Sequence, residues 1–169
     1  EEEEFLIPEW APNKIVYQIF PSRFATTNDV PCDVWYKTPI THKDNLQGNL
    51  RGIINHLDHI KELGVDLIYM TPIFMSDSSH KYDTIDYYKI DPSFGTEEDL
   101  KELVQKAHSM GIKVMLDAVF NHTSPKFFAF EDVKKNQEKS KYLDWYYIDG
   151  FPLKSKFGEK PNFKTFAYF

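Results

Sequence analysis

What most restricts this chain is an alternation. Three short apolar runs are separated by amphipathic helical patterns, and every long loop falls on the same side of the cycle. The runs are "KIVYQIFP" at residues 14–21, "VDLIYMTPIF" at 65–74 and "IKVMLDAVF" at 112–120. Each is rich in β-branched and aromatic residues and reads as a strand. Between the first two, "NLRGIINHLDHIKELG" places Leu50, Ile53, Ile54, Leu57, Ile60 and Leu63 at spacings of three and four. That is one apolar helical stripe, and Gly64 stops it. Before the third run, Thr96 has the character of an N-cap, with Glu97, Glu98 and Asp99 in the first turn, where the helix dipole favours anions. Leu100, Leu103, Val104 and Ala107 continue its apolar face, and Gly111 closes it.

Helix-to-strand turns are tight, whereas the strand-to-helix loops run to about Asn45 in one case and over residues 75–95 in the other. In α/β folds the loops after the carboxyl ends of the strands build the site, while the opposite end holds the fold together. The pattern predicts three β/α steps of a parallel sheet, rolled or open. Beyond Asn121 it changes. Residues 125–150 predict a short helix, a charged stretch and an aromatic strand, and the tail "FPLKSKFGEKPNFKTFAYF" shows no helical or strand period. Residues 123–169 are therefore expected to leave the sheet.

Composition narrows the function. A 41% hydrophobic and 27% charged chain of 169 residues has enough apolar content for one core. A net charge of −6 gives nucleic acid or an anionic membrane no reason to bind. No run approaches the roughly 20 apolar residues that span a bilayer. The acidic start "EEEEFLIPEW" shows no targeting peptide, so a cytoplasmic location is favoured, with secretion left open. Cys32 stands alone and offers no internal disulfide. The aromatic content of 16% is high, which fits either a large aromatic core or rings on which a sugar stacks.

The chemistry-bearing residues fall at predicted strand ends. The third run contains Asp117, a carboxylate that is expensive in apolar surroundings unless paired, and ends in Asn121 and His122. A period of two puts Asp117, Val119 and Asn121 on one face and Ala118, Phe120 and His122 on the other, unless the strand end bends. The second loop holds His80, Tyr82, Asp83, Asp86 and Asp91. Loop aspartates usually make Asx turns, but Tyr82 among polar neighbours is less easily explained that way. Asn28 and Asp29 in the first loop carry oxygen donors of the kind that calcium takes.

Together "VYQIFPSRF", "GNLRGIINHLDHIKELGVDLIYMTPIF", "HKYDTIDYYKIDPSFGT" and "GIKVMLDAVFNH" resemble the α-amylase family of glycoside hydrolases, from about Lys14 onward. "SKYLDWYYIDGFPL" resembles the start of the protruding domain B in its neopullulanase and cyclomaltodextrinase branch. The resemblance implies a partial (β/α)8 TIM barrel. Residues 1–13 would be a linker or N-terminal tail, 14–122 the first part of the barrel with its first three strands, and 123–169 the start of domain B. It implies an α-glucan substrate: cyclodextrins, pullulan or maltooligosaccharides. By position, Asp117 matches the aspartate that supports the catalytic pocket, and His122 the histidine that bonds a hydroxyl of the glucose in subsite −1. Tyr82 matches the tyrosine stacked on that glucose, with His80 close by in the motif. Asn121 matches an asparagine that binds calcium in many amylases.

Two departures accompany the match. The first loop reads "FATTNDV", and Gly48-Asn49 stands where many relatives have Gly-Asp. A required cofactor is therefore not expected, and calcium at Asn28, Asp29 or Asn121 is disfavoured. Second, a retaining glycosidase needs two carboxyl groups about 5–5.5 Å apart, and in the family these come from later strands. No residue here matches them, so this chain alone is expected to be inactive, and the parent protein to be an enzyme that could form a homodimer. Two rivals stand beside this reading: an amylase-like sugar-binding or interaction module without catalysis, and a metal-dependent barrel hydrolase with Asp117 and His122 as ligands.

Overall fold

The computed structural model describes residues 7–27, 36–41, 44–154 and 160–164. In chain order the strands are β1 (Val16–Ile19), β2 (Leu67–Met70), β3 (Phe74–Met75), β4 (Asp86–Ile90), β5 (Lys113–Leu116), β6 (Tyr147–Ile148) and β7 (Phe163–Lys164). The α-helices are α1 (Pro21–Phe24), α2 (Leu50–Asn55), α3 (Leu57–Glu62), α4 (Glu97–Ser109) and α5 (Phe128–Asn136).

Strands β1, β2 and β5 form one parallel sheet in that order, as the alternation predicts. The register aligns Gln18 with Tyr69 and Tyr69 with Met115, while Ile19, Met70 and Leu116 share the next row. Successive side chains point to opposite faces, and the faces differ sharply. One face packs Ile19, Ile68 and Met70 against Ile53, Leu57 and Ile60 of α2 and α3 and Leu103 and Ala107 of α4. Each large aliphatic side chain withdrawn there contributes about 1.5–3 kcal/mol, so this layer dominates stability. The other face is bare at its edges: Val16 is 55% exposed and Met115 45%. The architecture is the helix-covered outer wall of a (β/α) barrel, seen over its first three strands.

Element boundaries shift from the predicted ones for identifiable reasons. Pro21 does not simply end the first strand; it opens the one-turn helix α1, where its missing N–H costs nothing. The single stripe of residues 50–63 is two helices broken at His56, whose φ and ψ are −114° and 16°. His56 Nδ1 sits 2.8 Å from the Gly52 carbonyl, the acceptor that its own backbone N–H would use in a continuous helix. The α4 cap is as predicted: Thr96 accepts from the Asp99 N–H, and Asp99 reaches back to the Thr96 N–H, a full capping box.

Two corrections concern strands read as loop. The second loop contains the antiparallel pair β3–β4, with Phe74 opposite Ile90 and a register irregularity before Met75. The tail, expected to lack any strand, supplies β7, which pairs with β6. Both pairings join short segments distant in sequence, which local periodicity does not register. The residues beyond Asn121 do leave the main sheet. Their own small core centres on Phe130, whose ring lies 4.9 Å from Tyr146 and 5.0 Å from Phe163. Among the described residues no helix is long and apolar enough to cross a membrane.

At the root of the first loop, backbone touches backbone. A Cβ on Gly52 would lie 2.1 Å from the Ala25 carbonyl oxygen, and one on Gly48 2.2 Å from that of Pro21. Only glycine permits α2 to seat this close to α1. The Gly48 and Asn49 amides then donate to the Ser22 and Ala25 carbonyls at 3.0 Å.

Candidate active site

Strand β5 ends at Leu116, and the Asp117 N–H still donates to the Met70 carbonyl at 3.1 Å, extending the ladder by one bond. Parity therefore places the Asp117 side chain with Tyr69 and Met115 on the uncovered face. The Tyr69 hydroxyl donates to Asp117 Oδ2 at 2.5 Å, and the Tyr82 hydroxyl donates to the same oxygen at 2.9 Å. This answers the cost of a carboxylate in an apolar run: two phenols supply the polar partners.

Tyr82 is also held from behind. His122 Nε2 lies 2.7 Å from the Tyr82 carbonyl. A carbonyl can only accept, so the proton is assigned to Nε2. The expected separation of Asp117 and His122 by strand parity does not arise, because regular pairing has ended. The Phe120 N–H donates to the Ala118 carbonyl at 2.9 Å, a tight turn that swings His122 back toward the crevice. The Tyr87 hydroxyl braces this turn, sharing its single proton between the carbonyls of Val119 and His122.

His80 joins the group less directly. Its ring is 6.0 Å from that of Tyr82 at an interplanar angle of 31°, and its Nδ1 accepts the Tyr82 N–H at 3.1 Å. Tyr82, Asp117 and His122 are thus bonded into one unit, with exposed His80 at its rim. Asn121 is exposed beside them. Asn28 and Asp29 lie outside the described residues, as does Cys32.

Electrostatics favour phenols that stay protonated. Burial, then the hydrogen bond to Asp117, pushes Tyr82 far above the ordinary phenol range. The bond to Asp117 is the main cause of the rise at Tyr69, with burial adding to it. Both therefore remain donors at any pH where a protein of this kind works.

Asn49 Oδ1 accepts the Gly52 N–H at 2.7 Å as the cap of α2. Among the described residues no three His, Cys, Asp or Glu side chains converge on a common point. For the metal-hydrolase reading, Asp117 Oδ2 already receives two hydroxyls and His122 Nε2 faces a carbonyl, so neither of these two atoms is aimed at a shared ion.

Sequence reasoning missed Tyr69 and Tyr87. The signal for Tyr69 was available: in "LIYM" it alternates with Ile68 and Met70, so a hydroxyl-bearing side chain faces away from the helices, one strand before Asp117. Nothing comparable marks Tyr87, whose partners are backbone carbonyls.

Known proteins carry the same arrangement of sequence and fold. Residues 18–168 match the Alpha-amylase family, described as the α-amylase catalytic domain. A cyclomaltodextrinase of Thermoanaerobacter pseudethanolicus is 51% identical across 99% of this chain and 29% of its own length. Neopullulanase 2 of Thermoactinomyces vulgaris is 47% identical across 98% of this chain and 29% of its own. The maltose complex of a cyclic α-maltosyl-(1→6)-maltose hydrolase from Arthrobacter globiformis superposes with a TM-score of 0.80 at 41% identity, over 93% of this chain and 36% of that one. This chain thus spans under a third of the length of those two curated relatives. It belongs to the α-amylase family of glycoside hydrolases and carries part of the catalytic domain.

Proposed function

We propose that this chain supplies one wall of subsite −1 in a retaining enzyme that cleaves or transfers α-glucosidic bonds of cyclodextrins, pullulan or maltooligosaccharides. The observation that carries the reading is the shared oxygen. Both phenols bond Asp117 Oδ2, so neither occupies Oδ1, which keeps its lone pairs for a sugar hydroxyl. Tyr82, half-buried and fixed at its hydroxyl and its carbonyl, offers a ring face for a pyranose. His122 would reach a sugar hydroxyl by exchanging its bond to the Tyr82 carbonyl.

The described residues bind and orient; they are not assigned acid, base or nucleophile. Retention needs a carboxyl pair that protonates the leaving oxygen and captures the sugar, and we place that pair outside residues 1–169. Residues 14–122 are then barrel and 123–169 the start of domain B, a division supported by the separate β6–β7 pair and the Phe130 core.

The test is hydrolysis of β-cyclodextrin and pullulan by the full-length protein and by the 169-residue chain. Asp117→Asn in the full-length protein should lower kcat/KM by about 10²-fold or more. The short chain should show no turnover. Turnover by the short chain within tenfold of the full-length protein would place the reacting carboxyls here and overturn the assignment. Sugar binding without turnover by the full-length protein would leave a binding module instead.

A further inference from the structure

Immediately before Tyr82, a lysine is buried where a charged side chain is rarely found. Lys81 sits at φ +63°, the left-handed region that residues other than glycine seldom adopt. Its ammonium lies 2.7 Å from Asp91 Oδ2, with only 11% and 9% of the two side chains exposed. The same ammonium donates to the Ser76 carbonyl at 3.0 Å and rests 5.7 Å from the centre of the Phe94 ring. Asp91 is saturated in turn: its Oδ1 accepts the Ser93 N–H and hydroxyl at 3.0 and 2.6 Å, and its Oδ2 accepts the Ser76 N–H at 3.2 Å.

Such a pair is expensive to desolvate and contributes little net stability over an apolar alternative. What it does supply is direction. The residue that follows Lys81 is Tyr82, and the left-handed turn sets the course along which Tyr82 leaves the backbone. A second anchor lies just beyond, where Asp83 Oδ1 accepts hydroxyls from Ser76 and Ser78. Tyr82 is thus the one residue of the 81–83 turn whose side chain points out of the knot, toward Asp117.

We infer that Lys81 is a positioning residue for the sugar site: its buried pair with Asp91 fixes the turn that aims the Tyr82 ring and hydroxyl at Asp117. This rests on the reading of Tyr82 as a sugar-contacting residue, and the experiment separates the two. Steady-state kinetics on β-cyclodextrin are measured for the full-length protein, well below the melting temperature of every variant. Lys81→Met should lower kcat about tenfold, Lys81→Arg should recover much of that loss, and Tyr82→Ala should lower kcat at least as far. In the Tyr82→Ala background, Lys81→Met should cost less than about twofold more, because a residue acting through another adds nothing once its target is gone. Asp91→Asn, which keeps the side-chain shape, gives the same readout should Lys81→Met fail to accumulate folded.

A folded Lys81→Met protein with kcat within twofold of the parent overturns the inference. So does a loss that multiplies with that of Tyr82→Ala. If Tyr82→Ala alone leaves kcat and KM unchanged, the reading of the site fails and the positioning role falls with it.

Discussion

The loops that leave β1 and β2 are both tied by charge, but in different media. In the second, Lys81 and Asp91 pair out of water and Asp83 binds two serine hydroxyls. In the first, Arg23 reaches the carbonyls of Thr41 and Asp44 at 3.0 and 3.2 Å, and Lys37 meets Asp44 at 2.6 Å, with the lysine side chain 48% exposed. The hydrogen bond from Lys37, with help from Thr41, holds the Asp44 carboxyl well below its usual range. That pair is solvated and open to screening by salt. The second loop delivers Tyr82 to within hydrogen-bond distance of Asp117 and is organised from inside. The first delivers no described residue to the site, and its firm point is at its root, where Gly48 and Gly52 meet α1. Internal charge goes with the loop that delivers a site residue; surface pairing goes with the loop whose described residues stay away from it.

The contrast can be broken most forcefully at Asp91. Asp91→Ala strands the Lys81 ammonium without its carboxylate, which should cost about 3–5 kcal/mol of unfolding free energy in denaturant titration. A smaller effect tests the root of the first loop. Gly52→Ala sets a Cβ against the Ala25 carbonyl, where neither partner is a side chain that can rotate away, and should cost roughly 1–3 kcal/mol. Gly150→Ala is its control: nothing lies within 4 Å of its Cβ, so the unfolding midpoint should stay put.

The mildest test uses pH and salt. Burial pushes the carboxyls of Asp83 and Asp91 up, but the Ser76 and Ser78 hydroxyls at Asp83, and Lys81 and Ser93 at Asp91, outweigh it and leave both below their ordinary value. Their contribution is then fully present above the unfolded carboxyl value of about 4 and is lost as pH falls through the lower folded values. Resonances of residues 76–83 should shift below about pH 4 whether or not 1 M salt is present. Those of Lys37 and Asp44 should respond to salt already at neutral pH.

Legibility in the sequence followed the range of the forces involved. Thr96, the acidic first turn of α4 and the closing glycines act within one or two turns of helix, so that helix could be read directly. The parallel order of β1, β2 and β5 followed from where loops are long and where they are tight. The break at His56 could not be read, because it depends on a ring bonding the Gly52 carbonyl instead of leaving it to the backbone. The β3–β4 pair was hidden in a stretch rich in Ser and Asp, residues that usually mean turn. At the site, the resemblance supplied Tyr82, Asp117 and His122. The resemblance did not supply Tyr69, whose place opposite the helices lay unused in the period of "LIYM", and no pattern in the chain foretold that two phenols would meet on one oxygen.

The glycine seats at 48 and 52 have a consequence for how this architecture can vary. A joint made of backbone on backbone has no side chain to exchange, so gradual substitution cannot relocate it. The joint ties the chain at Ala25, where it leaves α1, to Asn49, where it enters α2, through the Asn49 N–H on the Ala25 carbonyl. Novelty in this loop must therefore come by changing its length or its tip, as interchangeable bits fit one drill chuck, while the barrel wall beneath stays the same.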